Sequence, residues 1–163
     1  MKQSLKWLLI LGGVIVLGFI ITILIPRQNS GGETERVKII SRNGLHWHPN
    51  IQIRIRGEEI PVPAGIGLGV RHNPIHTHET DNIIHLEFSG IVSDRSLELG
   101  EFFKAWGKTL TRDCVLDTCS GPEGQLVMLV NGTPNDEFEK YVMRDGDRIE
   151  IIYDDQTKTN EQG

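Results

Sequence analysis

Residues 51–63 read IQIRIRGEEIPVP, and this stretch decides the fold class. Ile51, Ile53 and Ile55 alternate with Gln52, Arg54 and Arg56, the period-two pattern of a strand with one buried face. Gly57-Glu58-Glu59 turns the chain, and Ile60-Pro61-Val62-Pro63 brings it back. Because proline cannot donate to a β-ladder, the returning strand is expected at a sheet edge.

Downstream, Ile84, Leu86 and Phe88 describe a further strand with His85 and Glu87 on its opposite face. The periodicity then changes. Leu99, Phe102, Phe103, Trp106 and Leu110 fall at i, i+3, i+4, i+7 and i+11, a single apolar stripe on a helix. Glu98 and Glu101 near its start and Lys104 and Lys108 near its end suit the helix dipole, and Gly107 supplies a stop. The apolar run Leu126 to Val130 is short enough for a central strand, ended by the turn pair Asn131-Gly132. Asp145-Gly146-Asp147 turns again before the alternating Ile149, Ile151 and Tyr153. Hairpin, strand, helix and further strands predict an α+β fold: a mixed β-sheet with one main helix packed on one face, β-grasp-like in arrangement.

Working outward to the termini, Trp7 to Ile25 is an apolar run broken only by glycines and Thr22. As a helix it would span roughly 28 Å at 1.5 Å per residue, enough to cross a bilayer. Lys2 and Lys6 before it favour a cytoplasmic N-terminus and an extracytoplasmic remainder. The expected organisation is a cytoplasmic segment 1–6, a transmembrane anchor 7–25, a flexible linker 26–36, an extracytoplasmic domain 37–153 and a disordered tail 154–163. A cleavable signal peptide is the competing reading. The apolar stretch exceeds the usual h-region, and no small-residue cleavage site follows it.

Without Lys2 and Lys6 the chain carries 15 basic against 22 acidic residues, a formal charge of −7. That excludes nucleic acid as a natural partner, since phosphate binding needs a basic face. Cys114 and Cys119 lie in a segment rich in Asp, Thr, Ser, Gly and Pro, where a disulfide would staple a surface loop. A redox-active pair is the alternative, but its usual C-x-x-C spacing is narrower.

Five of the six histidines fall in three places: His46-Trp47-His48, His76-Thr77-His78 and His85. On an extended chain residues i and i+2 point the same way, so each H-x-H pair can present two imidazoles on one side. Neutral imidazole ligates zinc, copper, nickel and iron, and a set without thiolate favours zinc or copper(II). His46, His48, His76, His78 and His85 are therefore the candidate metal ligands. Glu79, Asp81 and Glu87 are near enough to add a carboxylate or to orient a ring. Set against this, exposed strands tolerate histidine without any metal. His72, beside Arg71 and Asn73-Pro74, reads as a loop residue outside the set.

Other motifs do not carry chemistry. Gly65-Ile66-Gly67-Leu68-Gly69 is not the dinucleotide fingerprint and reads as a flexible loop. There is no nucleophile elbow and no P-loop. Asn131-Gly132-Thr133 matches a glycosylation acceptor, although its Asn-Gly pair already has a role in a turn.

Taken together, HWH at 46–48, HTHETDNIIH at 76–85 and LGEFFKAWG at 99–107 resemble the blocks of an uncharacterised family of secreted or membrane-anchored prokaryotic proteins. The likeness covers roughly His46 to Ile152 and implies an extracytoplasmic domain, with no reaction attached. The segment from Leu126 to Tyr153 also looks like the C-terminal half of ubiquitin-like sulfur carriers. Those act through a terminal Gly-Gly, whereas this sequence ends Glu161-Gln162-Gly163. That likeness concerns fold alone.

Three functions stand as expectations. The first is a membrane-tethered protein that senses, holds or delivers zinc or copper. The second is an enzyme using the same metal with an open coordination position. The third is an envelope protein-interaction module in which the histidines are incidental.

Overall fold

The computed structural model describes residues 36–155. The alternating isoleucines form β3 (Asn50–Ile55), which turns tightly into the antiparallel β4 (Glu58–Ile60). β4 lies at the sheet edge, but it comprises Glu58 and Glu59, expected in the turn, with Ile60, and Pro61-Val62-Pro63, expected as the returning strand, lies beyond its end.

On its other side β3 pairs in parallel with β12 (Arg148–Asp155). β12 in turn pairs antiparallel with β10 (Gly124–Val130), and β10 with β11 (Thr133–Pro134) through a two-residue turn at Asn131-Gly132. Both turn residues have positive φ, as a type I′ hairpin requires. The five-stranded order is β11-β10-β12-β3-β4, with the last strand in the middle and parallel to the first hairpin's inner strand.

Register puts one apolar row on a single face. Ile51 lies beside Ile149, Ile53 beside Ile151, and Met128 beside Ile151, all fully or nearly fully buried. The helix α1 (Leu99–Trp106) contributes Leu99, Phe102 and Phe103 to the same core. Each fully buried side chain of this size contributes roughly 1.5–3 kcal/mol.

Four further expectations are revised. The apolar stripe placed Leu110 on the helix, but α1 stops at Trp106, at the glycine expected to end it. Gly107 takes the left-handed conformation, and Gly107 N–H and Lys108 N–H donate to the Lys104 and Phe103 carbonyls, a Schellman closure that turns the chain off the helix axis. Leu110 is buried from an extended segment, bridged to Val115. Asp154 and Asp155, expected in the tail, belong to β12, because ladder hydrogen bonds to β10 need backbone and no apolar side chain.

Third, the strand around Leu86 does not join the large sheet. It is β6 (His85–Phe88), the middle strand of a separate antiparallel sheet between β2 (Leu45–Trp47) and β5 (Ile75–His76). Between β2 and β3 the buried Pro49 accepts from Ile84 N–H at 2.9 Å through its carbonyl, Ile51 N–H donates to the Asn82 carbonyl, and an isolated antiparallel bridge between Asn50 and Ile83 links the two sheets there. Here the chain passes from one sheet to the other. Fourth, the glycine run 65–69 is an ordered support, described below.

Two small pairs complete the fold: β1 (Ile39–Ser41) with β7 (Val92–Ser93), and β8 (Cys114–Val115) with β9 (Thr118–Cys119). Cys114 and Cys119 face each other across the latter and form the disulfide. The expected segment 1–6, anchor 7–25 and linker up to residue 35 lie outside the described residues, as does the tail from 156. Among the described residues no helix is long and apolar enough to cross a membrane.

Candidate metal centre

The sheet β2-β6-β5 has opposite chemistry on its two faces. Leu86 of β6 is paired with Trp47 on one side and Ile75 on the other, and this rung packs into the core. One residue along each strand the side chains point the other way. There His85 of β6 faces His76 of β5, and Glu87 of β6 faces His46 of β2. His48 and His78 follow their H-x-H partners just past the ends of β2 and β5.

This register gathers five histidines and one glutamate. The ligand atoms of His76, His78, His85 and Glu87 all lie within 4.8 Å of one another, and so do those of His46, His48 and His85. Both groups could hold a metal ion. The His76 and His78 Nε2 atoms are 3.1 Å apart, as are those of His46 and His48. The His85 ring sits between the pairs, its centroid 4.5 Å from that of His78 and 4.9 Å from that of His48. His46 Nε2 is 3.1 Å from Glu87 Oε1.

The backbone holds His76 in place. His76 is buried, and its Nδ1 lies 3.0 Å from the Asn73 carbonyl, the geometry of an N–H donor that leaves Nε2 free to ligate. Thr77, fully buried between the two histidines, donates its hydroxyl to the Pro63 carbonyl and accepts from Ile66 N–H. Gly65 N–H donates to the Thr77 carbonyl and Thr77 N–H to that of Ile66. The glycine run is thus a backbone cradle for His76-Thr77-His78. Gly67, at φ +74°, packs so closely that a Cβ there would meet the Ile75 carbonyl and lie 3.2 Å from His76 Cβ.

Electrostatics favour neutral rings at the centre. Burial pushes the His76 pKa below the ordinary histidine value, outweighing the Asn73 hydrogen bond that acts the other way. Burial, with the neighbouring His78, His48 and His76, lowers His85 as well. Neutral imidazole is the ligating form, so proton competition at these positions is reduced. His85 Nδ1 is buried without a hydrogen-bond partner, an uncompensated polar atom inside a cluster of donors.

Of the three carboxylates considered from sequence, Glu87 enters the cluster and the other two do not. Asp81 accepts from Ile83 N–H through Oδ1 and shapes the loop before β6, and Glu79 is exposed outside both groups. His72 also lies outside both, its ring 5.8 Å from that of His76. Sequence reasoning missed the supports: Asn73, Gly67, and Asp145, whose Oδ1 accepts the His48 N–H at 2.8 Å. The unusual density of glycine at 65–69 was the visible signal for one of them, but its partner strand was not. No protein family, curated protein or solved structure matches this chain.

Proposed function

We propose that this domain binds a divalent transition-metal ion, zinc or copper(II), through His76, His78 and His85 with Glu87 as a fourth donor, and holds or delivers it outside the cell. The observation that carries the reading is the mutual approach, within 4.8 Å, of four ligand atoms brought from two paired strands. Three imidazoles and a carboxylate, with no thiolate, make a borderline donor set that suits these two ions. The apolar run Trp7 to Ile25, with lysines ahead of it, and the resemblance to secreted and membrane-anchored proteins support a tethered, extracytoplasmic placement. We also read the five-stranded order, with its central parallel pair, as a β-grasp arrangement extended by the histidine-bearing sheet.

The test is elemental analysis and metal titration of the full chain purified in detergent. Stoichiometric uptake of zinc or copper is expected, and His76→Ala combined with His78→Ala removes the tightest-bound equivalent. A wild-type chain that takes up neither ion in stoichiometric amount overturns the proposal.

One observation favours a second reading. His78 and Glu87 are exposed while His76 is buried, so an ion at this site would have one solvent-facing side. A metal-dependent enzyme needs such a side for water or substrate. X-ray absorption of the zinc-loaded chain separates the two, since a coordinated water marks the open site and four protein donors the closed one.

A further inference from the structure

We propose that the histidine face is a two-ion centre: a second ion binds at His46 and His48, and Glu87 is the carboxylate shared between the two. This rests on the reading of His76, His78 and His85 as the first site.

Six donors are too many and too widely spread for one ion. At a metal–nitrogen distance of about 2.0–2.1 Å, donors around a tetrahedral zinc stand only about 3.4 Å apart. The six atoms do not meet that condition together; they separate into two groups that share His85, with Glu87 in the first and 3.1 Å from His46 of the second. His46 and His48, with Nε2 atoms 3.1 Å apart, already have the spacing of two ligands on one ion, and so do His76 and His78. The two pairs lie at opposite strands of the sheet, one on β2 and one on β5, with β6 between them.

The middle strand supplies what lies between the pairs. His85 is directly opposite His76, and Glu87 directly opposite His46. Glu87 reaches both ways: its carboxylate belongs to the group of His76, His78 and His85, and its Oε1 is 3.1 Å from His46 Nε2. A carboxylate has two oxygens and can ligate two ions at once, which a neutral imidazole cannot. The first ion would therefore take His76, His78 and His85, the second His46 and His48, with one Glu87 oxygen for each. Asp145 steadies the second pair by accepting the His48 backbone N–H. Carboxylate-shared pairs of ions belong to sites that polarise a bound oxygen ligand or water between two cations, so the ligand class implied is a small oxyanion or water.

Copper(II) titration of the full chain in detergent tests this. Wild type is expected to take two equivalents, and at two equivalents the copper EPR spectrum is expected to show dipolar broadening from a close pair. His46→Ala with His48→Ala should leave one equivalent and the sharp spectrum of an isolated ion. Both residues are exposed, so circular dichroism should confirm an intact fold. Glu87→Gln takes a donor from both ions: the first, still held by His76, His78 and His85, should weaken, and the second, left with His46 and His48 alone, should weaken further and by at least about tenfold, the scale on which a lost metal contact acts. A wild-type chain that binds one equivalent, or two equivalents with the spectrum of isolated ions, overturns the paired centre and leaves the first site standing. A chain that binds none overturns the first site as well.

Discussion

At the scale of single residues, the polar groups that matter most outside the histidine face converge on Asp147. This buried side chain accepts from Tyr141 Oη at 2.6 Å, from Arg144 N–H at 2.8 Å and from Asn131 Nδ2 at 3.0 Å. Burial and the bond to Asp147 push the Tyr141 hydroxyl well above the ordinary tyrosine range, so it stays a donor through neutral and mildly alkaline pH. Tyr141→Phe removes one of three donors to the carboxylate and is expected to cost about 2 kcal/mol, the usual scale for a hydrogen bond to a charged acceptor. Urea unfolding reads this as a lower midpoint with an unchanged slope. The histidines follow a different logic: burial disfavours the protonated rings of His76 and His85, which lowers proton competition at the proposed site, and His85 Nδ1 is left without a partner.

Among the elements, the turn at 65–69 has the largest effect on the site although it supplies no ligand. Gly67→Ala combines a left-handed backbone position with a Cβ directed at the Ile75 carbonyl and at His76. The strained backbone alone costs roughly 1–3 kcal/mol, and relief of the clash must move β5. Metal affinity is expected to fall by about 10–100-fold, as when other groups that orient a ligand are lost. Gly65→Ala is the internal control, because Gly65 also has positive φ but its Cβ would meet nothing within 4 Å. It should lower stability while leaving metal affinity within about twofold of wild type. Equal losses of affinity in the two variants, read by titration, would show that the cradle has no specific role. Elements also show where periodicity was enough and where it was not. The edge position of β4 and the turn at Asn131-Gly132 follow from Pro61 and the Asn-Gly pair alone. The stop of α1 follows from Gly107, whereas the apolar spacing runs on to Leu110, which is buried from an extended segment instead.

For the molecule as a whole, the histidine face and the core are two sides of the same thin sheet, so an ion bound at the proposed site would couple to folding. An ion that binds only the folded chain adds about 2.7 kcal/mol at a free concentration 100 times its Kd. For a domain of this size that corresponds to a rise in melting temperature of roughly 10 °C. Differential scanning fluorimetry should show it in wild type and lose it in the variant with His76→Ala and His78→Ala, whereas a rise of equal size in that variant places the stabilising ion elsewhere. The α+β class, the hairpin, the helix face and the histidines that the fold gathers were all legible from residues 37–153, because alternation and helical spacing are local properties of the chain. The assembly of the metal face was not. H-x-H spacing says that two rings share a side; it does not say which strand lies between two such pairs. That was decided by the register of β6, which sets His85 against His76 and Glu87 against His46. Backbone pairing over long sequence separations brings these side chains to one place, and no local pattern encodes which partners it selects.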